Sequence, residues 1–155
     1  MNLLERALVS GSIAAAAVSL VVAVAGRRST GSSAAPLNAT SHFLWGERAA
    51  REDGVSLKYT ATGFAANFGA SVFWAVFYEA LPRRMPPLAR GAAVSALAYV
   101  TDYHVVPKRL TPGFELRLPA GALAAAYAAL ALGLAARDLL AGNHRRQIDA
   151  DLPTT

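Results

Sequence analysis

The sequence contains no cysteine, which excludes disulfide bonds, thiolate nucleophiles and cysteine-ligated iron–sulfur clusters. It is also poor in charge: Asp, Glu, Lys and Arg make up 16% of the chain, whereas about 25% is usual in soluble domains. It carries no glycine-rich phosphate loop, no serine-nucleophile motif and only three histidines. Functions that need a nucleotide-phosphate loop or a serine or thiol nucleophile are therefore excluded, and no catalytic residue is predicted.

Long uncharged segments dominate the remaining composition, which is 54% hydrophobic. Residues 13–25 read IAAAAVSLVVAVA, with neither a charge nor a polar face. A helix that is apolar on all sides belongs in a membrane or a large core, and a chain of 155 residues cannot supply such a core. Four windows approach the roughly 20 residues that a helix needs to cross a bilayer. These windows are residues 7–25, 61–81, 88–106 and 120–140.

The pattern predicts an all-α integral membrane four-helix bundle that forms a single membrane domain over residues 1–155. The first window also resembles a secretory signal, because Arg6 precedes it and Ala23-Val24-Ala25 is typical of a cleavage site. It is longer than most signals and is followed by Arg27-Arg28, which favours a retained helix.

The polar segment after the first window predicts one further helix. Residues 36–45, PLNATSHFLW, have Pro36 in the first-turn position and Gly46 as a stop. Ten residues are too few to span a bilayer, so we expect an interfacial or re-entrant helix. At the other end of the chain, residues 142–155 are polar and predict a flexible tail.

The Lys and Arg residues flank the apolar segments, where such residues anchor helices at lipid headgroups. The net charge of +5 therefore indicates membrane lipids as partners and no nucleic acid. Seven basic residues fall on one predicted side and eight on the other, so their count does not decide the orientation. A composition rich in Ala, Arg and Leu is typical of bacteria. We expect a multi-pass protein of the bacterial inner (plasma) membrane, assembled as a homo-oligomer or with a partner membrane protein.

Polar residues inside the predicted spans mark one candidate site. Ionisable side chains are costly in a bilayer, and by default they indicate a partner or a function. Asp102 and His104 lie in the last turns of the third span, and Asn67 lies at similar depth in the second. The short helix that carries Asn38 and His42 emerges on the same side. We expect these five side chains to converge at one membrane face.

Three uses of this cluster stay open. Asp102 can accept hydrogen bonds that order a non-enzymatic interaction or assembly protein, with no cofactor. Asp102, His42 and His104 can also carry protons or ions in a small oligomeric transporter or accessory subunit. Thirdly, the same three residues can bind a divalent metal in a membrane metalloenzyme, provided that the helix unwinds before Pro107, since residues i and i+2 point to opposite faces.

Near the second loop, Glu79 lies one turn from the end of the second span and Arg90 lies one turn from the start of the third. Their proximity predicts a structural ion pair. Small residues at four-residue spacing permit close packing of helices or dimerisation. They are Gly11/Ala15, Gly121/Ala125 and Ala129/Gly133.

Three stretches resemble the signature blocks of a family of uncharacterised small four-helix bacterial inner-membrane proteins. They read PLNATSHFLWGERAAREDG, TGFAANFGASVFWAVFYE and YVTDYHVVPKRLTPGFE and fall between residues 36 and 115. The resemblance implies a bacterial inner membrane and brings no activity, cofactor or site residue.

Overall fold

The computed structural model describes residues 1–150, with side chains through residue 142. Over this range the regular structure is entirely helical, which confirms the all-α part of the predicted fold class. Seven α-helices follow one another: α1 Leu3–Thr30, α2 Ala35–Thr40, α3 His42–Trp45, α4 Glu47–Arg51, α5 Thr60–Ala80, α6 Pro87–Val100 and α7 Ala120–Ala150. A π-helix, Thr101–Val105, continues α6, and the 3-10 helices Lys108–Leu110 and Phe114–Leu116 precede α7.

The ends of the long helices follow from local chemistry. Asn2 caps α1 through a capping box with Glu5, in which each side chain accepts a hydrogen bond from the other's backbone N–H. Gly31 ends the same helix in the left-handed conformation, with φ 80°. Pro87 stands in the first turn of α6, and Pro119 accepts the first backbone hydrogen bonds of α7.

The four long helices pack as a bundle in which α1 contacts both α5 and α7, and α6 packs on α7. Glycine allows close contacts between these helices. A Cβ placed on Gly133 would lie 2.5 Å from the Ala14 Cα, and one on Gly11 would lie 2.6 Å from the Val72 Cα. Gly121 faces open space instead. Two of the predicted small-residue pairs therefore contain a glycine at a helix contact, and the third does not.

Three predicted segments differ in detail from the structure. The single short helix over residues 36–45 is divided into α2 and α3 at Ser41. The third long helix ends at Val105, within one residue of the predicted end, because Pro107 has no N–H to continue the helical hydrogen bonding, but its last five residues, Thr101–Val105, form a π-helix. The tail predicted from residue 142 is helical as far as Ala150, and residues 151–155 lie outside the described part of the chain.

Two helical segments, Leu3–Thr30 and Ala120–Gly142, are long and apolar enough to cross a membrane. Helix α5 contains Asn67, Ser71 and Glu79, and α6 has 14 residues before the π-helix begins. The structure therefore supports two of the four predicted spans by length and apolar character.

The bundle has an apolar core that also encloses several polar side chains, and many large apolar side chains lie on its outer surface. Inward-facing polar side chains are buried on three of the long helices: Ser10 on α1, Asn67, Ser71 and Glu79 on α5, and Arg90 and Ser95 on α6. Large apolar side chains project outward from all four, among them Leu20 (67% exposed), Phe73 (54%), Leu97 (49%) and Leu132 (56%).

Candidate functional site

A cavity of about 270 Å³ lies between α1, α5, α7 and the segment that joins α6 to α7. Its apolar wall includes Phe43, Trp74, Phe114 and Leu130. Asn67 and Asp102 face the same cavity, so the structure brings together two of the five residues predicted to converge. The cavity is open on one side, and we call it the lateral cavity.

Asp102 reaches the lateral cavity from the π-helix. The widened turn is closed by a 2.9 Å hydrogen bond from the Val106 N–H to the Thr101 carbonyl. π-Helical turns are rare and occur frequently at functional sites. The Tyr127 hydroxyl donates a 2.7 Å hydrogen bond to Asp102 Oδ2. Among the described residues, no other hydrogen bond reaches this carboxylate, and no Lys, Arg or His forms a salt bridge with it.

Asn67 lies across the lateral cavity on α5 and is buried. Its Nδ2 donates to the Ala15 carbonyl at 3.2 Å and to the Ser19 hydroxyl at 3.0 Å, which ties α5 to α1. Both amide protons are thereby used within the bundle. The side-chain carbonyl has no hydrogen-bond donor among the described residues and is an available acceptor.

Asn38 is fully buried but does not join the lateral cavity. Its Nδ2 donates to the carbonyls of Glu52 and Gly54, each at 2.9 Å, and its Oδ1 accepts from the Thr60 hydroxyl at 2.6 Å. Asn38 therefore fixes the segment between α4 and α5 against α2, which is a structural role.

The two predicted histidines of the site also lie elsewhere. His42 Nδ1 is 3.0 Å from the Ala39 carbonyl and Nε2 is 3.3 Å from the Lys108 carbonyl, on the outer side of α3. His104 is exposed beside the Tyr99 ring. Within the part of the chain that the structure describes, no group of three or more His, Cys, Asp or Glu residues is placed to hold a metal ion. The predicted metal set of His42, Asp102 and His104 is not assembled.

An ion network occupies the opposite end of the bundle. Glu79 is buried and accepts from the Ser10 hydroxyl at 2.6 Å and from Arg6 Nε at 3.1 Å. Arg137 and Arg83 lie 3.4 Å and 3.6 Å from its carboxylate oxygens. Since Glu79 faces α1 and α7, the predicted pair between Glu79 and Arg90 does not form.

Arg90 pairs instead with Asp138 on α7, at 2.6 Å between Nη2 and Oδ2. The Tyr78 hydroxyl donates to the same carboxylate oxygen at 3.0 Å, and the Arg90 guanidinium carbon lies 4.5 Å from the centre of the Tyr78 ring. We call the residues around Glu79 and Asp138 the arginine network. It joins the start of α1, the end of α5, the start of α6 and the later part of α7.

Tyr127 is the site residue that the sequence analysis missed. It interrupts an Ala- and Leu-rich stretch of α7 and is the first polar side chain in that helix, which was a usable signal. Close by, the Tyr103 hydroxyl donates to Glu115 Oε2 at 3.2 Å, and the Thr111 hydroxyl donates to Glu115 Oε1. These contacts secure the connecting segment that closes one wall of the lateral cavity.

Comparisons of this chain with family models, with curated proteins and with solved structures return no match.

Proposed function

We propose that this chain is a multi-pass protein of the bacterial inner membrane, with four spanning helices, that works by binding and catalyses no reaction. Exposed apolar side chains on all four long helices, together with ionisable side chains buried between them, support the membrane part of the proposal. Phe73, Leu97 and Leu132 project outward, whereas Glu79 and Arg90 are buried within the bundle. Helices with apolar outer faces, whose polar side chains turn toward neighbouring helices, fit a lipid surrounding in which polar groups must be satisfied by the protein itself.

The observation that carries the binding part is the lateral cavity. Ligand sites in helical bundles lie between helices, and they combine an apolar wall with a few polar groups. Here Trp74, Phe114 and Leu130 supply the wall, and Asp102 and Asn67 supply the polar groups. Asp102 is partly exposed and has no cation partner among the described residues, so its carboxylate is accessible to a ligand. An ionisable side chain within a membrane bundle by default indicates a partner or a function.

The membrane part is testable because the chain has no native cysteine. Phe73→Cys places one thiol on the outer face of α5, and Val55→Cys places one in the polar segment before α5, where Val55 is 85% exposed. In proteoliposomes that are permeabilised so that the reagent reaches both membrane faces, a charged maleimide is expected to label the Val55→Cys protein and not the Phe73→Cys protein. A small apolar maleimide is expected to label both. Equal labelling of both thiols by the charged reagent contradicts a lipid-facing α5.

The binding part is tested by native mass spectrometry of protein released from mild detergent. We expect a reproducible bound mass on the wild type that is lost when Ala70→Trp fills the rim of the lateral cavity. A bare protein in both forms would contradict the binding proposal and favour a role in packing or partner assembly. Transport by a relay of Asp102, His42 and His104 has less support, because neither histidine reaches the cavity.

A further inference from the structure

The lateral cavity has a definite chemical character. Among the described residues that line it, Asp102 is the only Asp, Glu, Lys, Arg or His. The two carboxylates of the arginine network at the opposite end, buried Glu79 and partly buried Asp138, each contact arginine. Asp102 has a tyrosine hydroxyl as its partner and no cation. The cavity therefore holds one uncompensated acidic group.

The groups around Asp102 add to this preference. The Asn67 carbonyl is a second acceptor without a donor, because the amide protons are bound to α1. Aromatic side chains, including Phe43, Trp74 and Phe114, contribute to the wall, and aromatic faces attract cations. Glu115, whose carboxylate is bound by Tyr103 and Thr111, adds a second negative charge behind that wall. Acceptors, aromatic faces and negative charge together favour an organic cation.

The volume of the cavity limits the size of such a ligand, and the position of its opening determines where the ligand enters. A volume of about 270 Å³ lies just below the range of roughly 300–1,000 Å³ that is usual for drug-sized ligands. Ala70 and Leu110 both line the cavity and are exposed, so its opening lies between α5 and the connecting segment. Ala70 is at the middle of α5, and an opening at that height faces the side of the bundle. A ligand that enters there needs an apolar body.

We propose that the lateral cavity binds a small organic ammonium ion with an apolar body, with Asp102 as its counter-ion and the Asn67 carbonyl as a second acceptor. This inference rests on the proposed function, since it assigns a ligand class to the same cavity.

The test compares three probes of similar shape and different charge: benzylammonium, benzyl alcohol and benzoate. The full-length protein in mild detergent is titrated with each probe, and the thermal unfolding midpoint is followed by tryptophan fluorescence. A ligand that binds the folded state raises the midpoint as its concentration rises. We expect benzylammonium to stabilise the wild type, with benzyl alcohol weaker and benzoate without effect. Asp102→Asn keeps an acceptor for Tyr127 and is expected to weaken benzylammonium binding about tenfold or more.

Two variants keep the result interpretable. Glu47→Gln removes an exposed carboxylate on the same side of the bundle and is expected to bind benzylammonium like the wild type. If Asp102→Asn does not fold, Ala70→Trp serves instead, and it is expected to lose the benzylammonium effect with the carboxylate intact. Unchanged benzylammonium binding to a folded Asp102→Asn or Ala70→Trp protein overturns the inference.

The remaining outcomes distinguish a wrong ligand class from a cavity that binds no ligand. Equal stabilisation by benzyl alcohol and benzylammonium, in both wild type and Asp102→Asn, overturns the ammonium class and leaves the binding function in place. Preference for benzoate overturns it as well. If no probe shifts the midpoint, the ammonium class is wrong, and the bound mass lost in Ala70→Trp decides separately whether the cavity binds a ligand.

Discussion

The guanidinium of Arg90 and the carboxylate of Asp138 form a 2.6 Å ion pair between α6 and α7, and the Arg90 side chain is only 3% exposed. Nε and Nη1 of Arg90 are buried and have no hydrogen-bond partner among the described residues. Most of the compensation for this charge therefore comes from Asp138, with a further contribution from the Tyr78 ring. A buried pair of this kind is costly to break, because the remaining partner stays charged and desolvated.

Removing one partner of that pair is expected to destabilise the bundle strongly. We expect Asp138→Ala to lower the free energy of unfolding by about 3–5 kcal/mol, since it leaves Arg90 without a counter-ion. Replacing both partners, with Arg90→Met and Asp138→Leu, is expected to restore most of that loss. The measurement is denaturant unfolding in mild detergent, followed by tryptophan fluorescence.

Asp53 and Arg117 provide the matched control for this prediction. They also form an ion pair, but the Asp53 side chain is 60% exposed. Solvent screening limits such pairs to about 0–1 kcal/mol, so Asp53→Ala is expected to have little effect. Equal losses for Asp53→Ala and Asp138→Ala would show that burial does not govern the strength of the arginine network.

The arginine network also shows what the sequence leaves undetermined. Glu79 and Arg90 were placed near one membrane face from their depth in the windows, and both do lie at that end of the bundle. Their partners depend on which helices are neighbours, and this order is a tertiary property. Because α1 lies against α5 and α7 lies against α6, Glu79 meets Arg6 and Arg90 meets Asp138.

The candidate site divides in the same way. Asn67 and Asp102 were grouped from depth alone, and the structure places both in the lateral cavity. Asn38, His42 and His104 share that side of the bundle but face other neighbours. Helical spacing assigns a residue to a face only while the helix is regular. The π-helix at Thr101–Val105 and the break at Ser41 change those faces, and neither is encoded by apolar periodicity.

The close contact between α1 and α7 at Gly133 predicts that a glycine-to-alanine substitution destabilises the protein there, whereas the same substitution stabilises it at an open helix position. Gly133→Ala places a methyl group 2.5 Å from the Ala14 Cα, closer than side-chain carbons approach in folded proteins. We expect the helices to move apart at a cost of about 1–3 kcal/mol, as in other overpacked contacts.

Gly69→Ala is the control for Gly133→Ala, because a Cβ on Gly69, in the middle of α5, meets no atom within 4 Å. Helix propensity is expected to stabilise this variant by about 0.5–1 kcal/mol. Both free energies are measured by the same unfolding assay. Stabilisation by Gly133→Ala would mean that α1 and α7 are not in close contact in the folded protein.

The last prediction concerns Asn38, which the structure assigns to the segment between α4 and α5 and not to the lateral cavity. Asn38→Asp removes the two amide protons that bind the carbonyls of Glu52 and Gly54 and sets a carboxylate against those oxygens. Leaving buried acceptors without donors costs about 1–3 kcal/mol. We therefore expect the population of the locally opened segment to rise about tenfold or more. Tryptic cleavage after Arg51 and Lys58 should accelerate correspondingly, with the products identified by mass.

Asn2→Asp makes the same charge change on an exposed residue and is expected to leave those rates unchanged. Unchanged cleavage in Asn38→Asp would contradict the assigned structural role, because nothing else on α2 binds these two carbonyls through a side chain in the described residues.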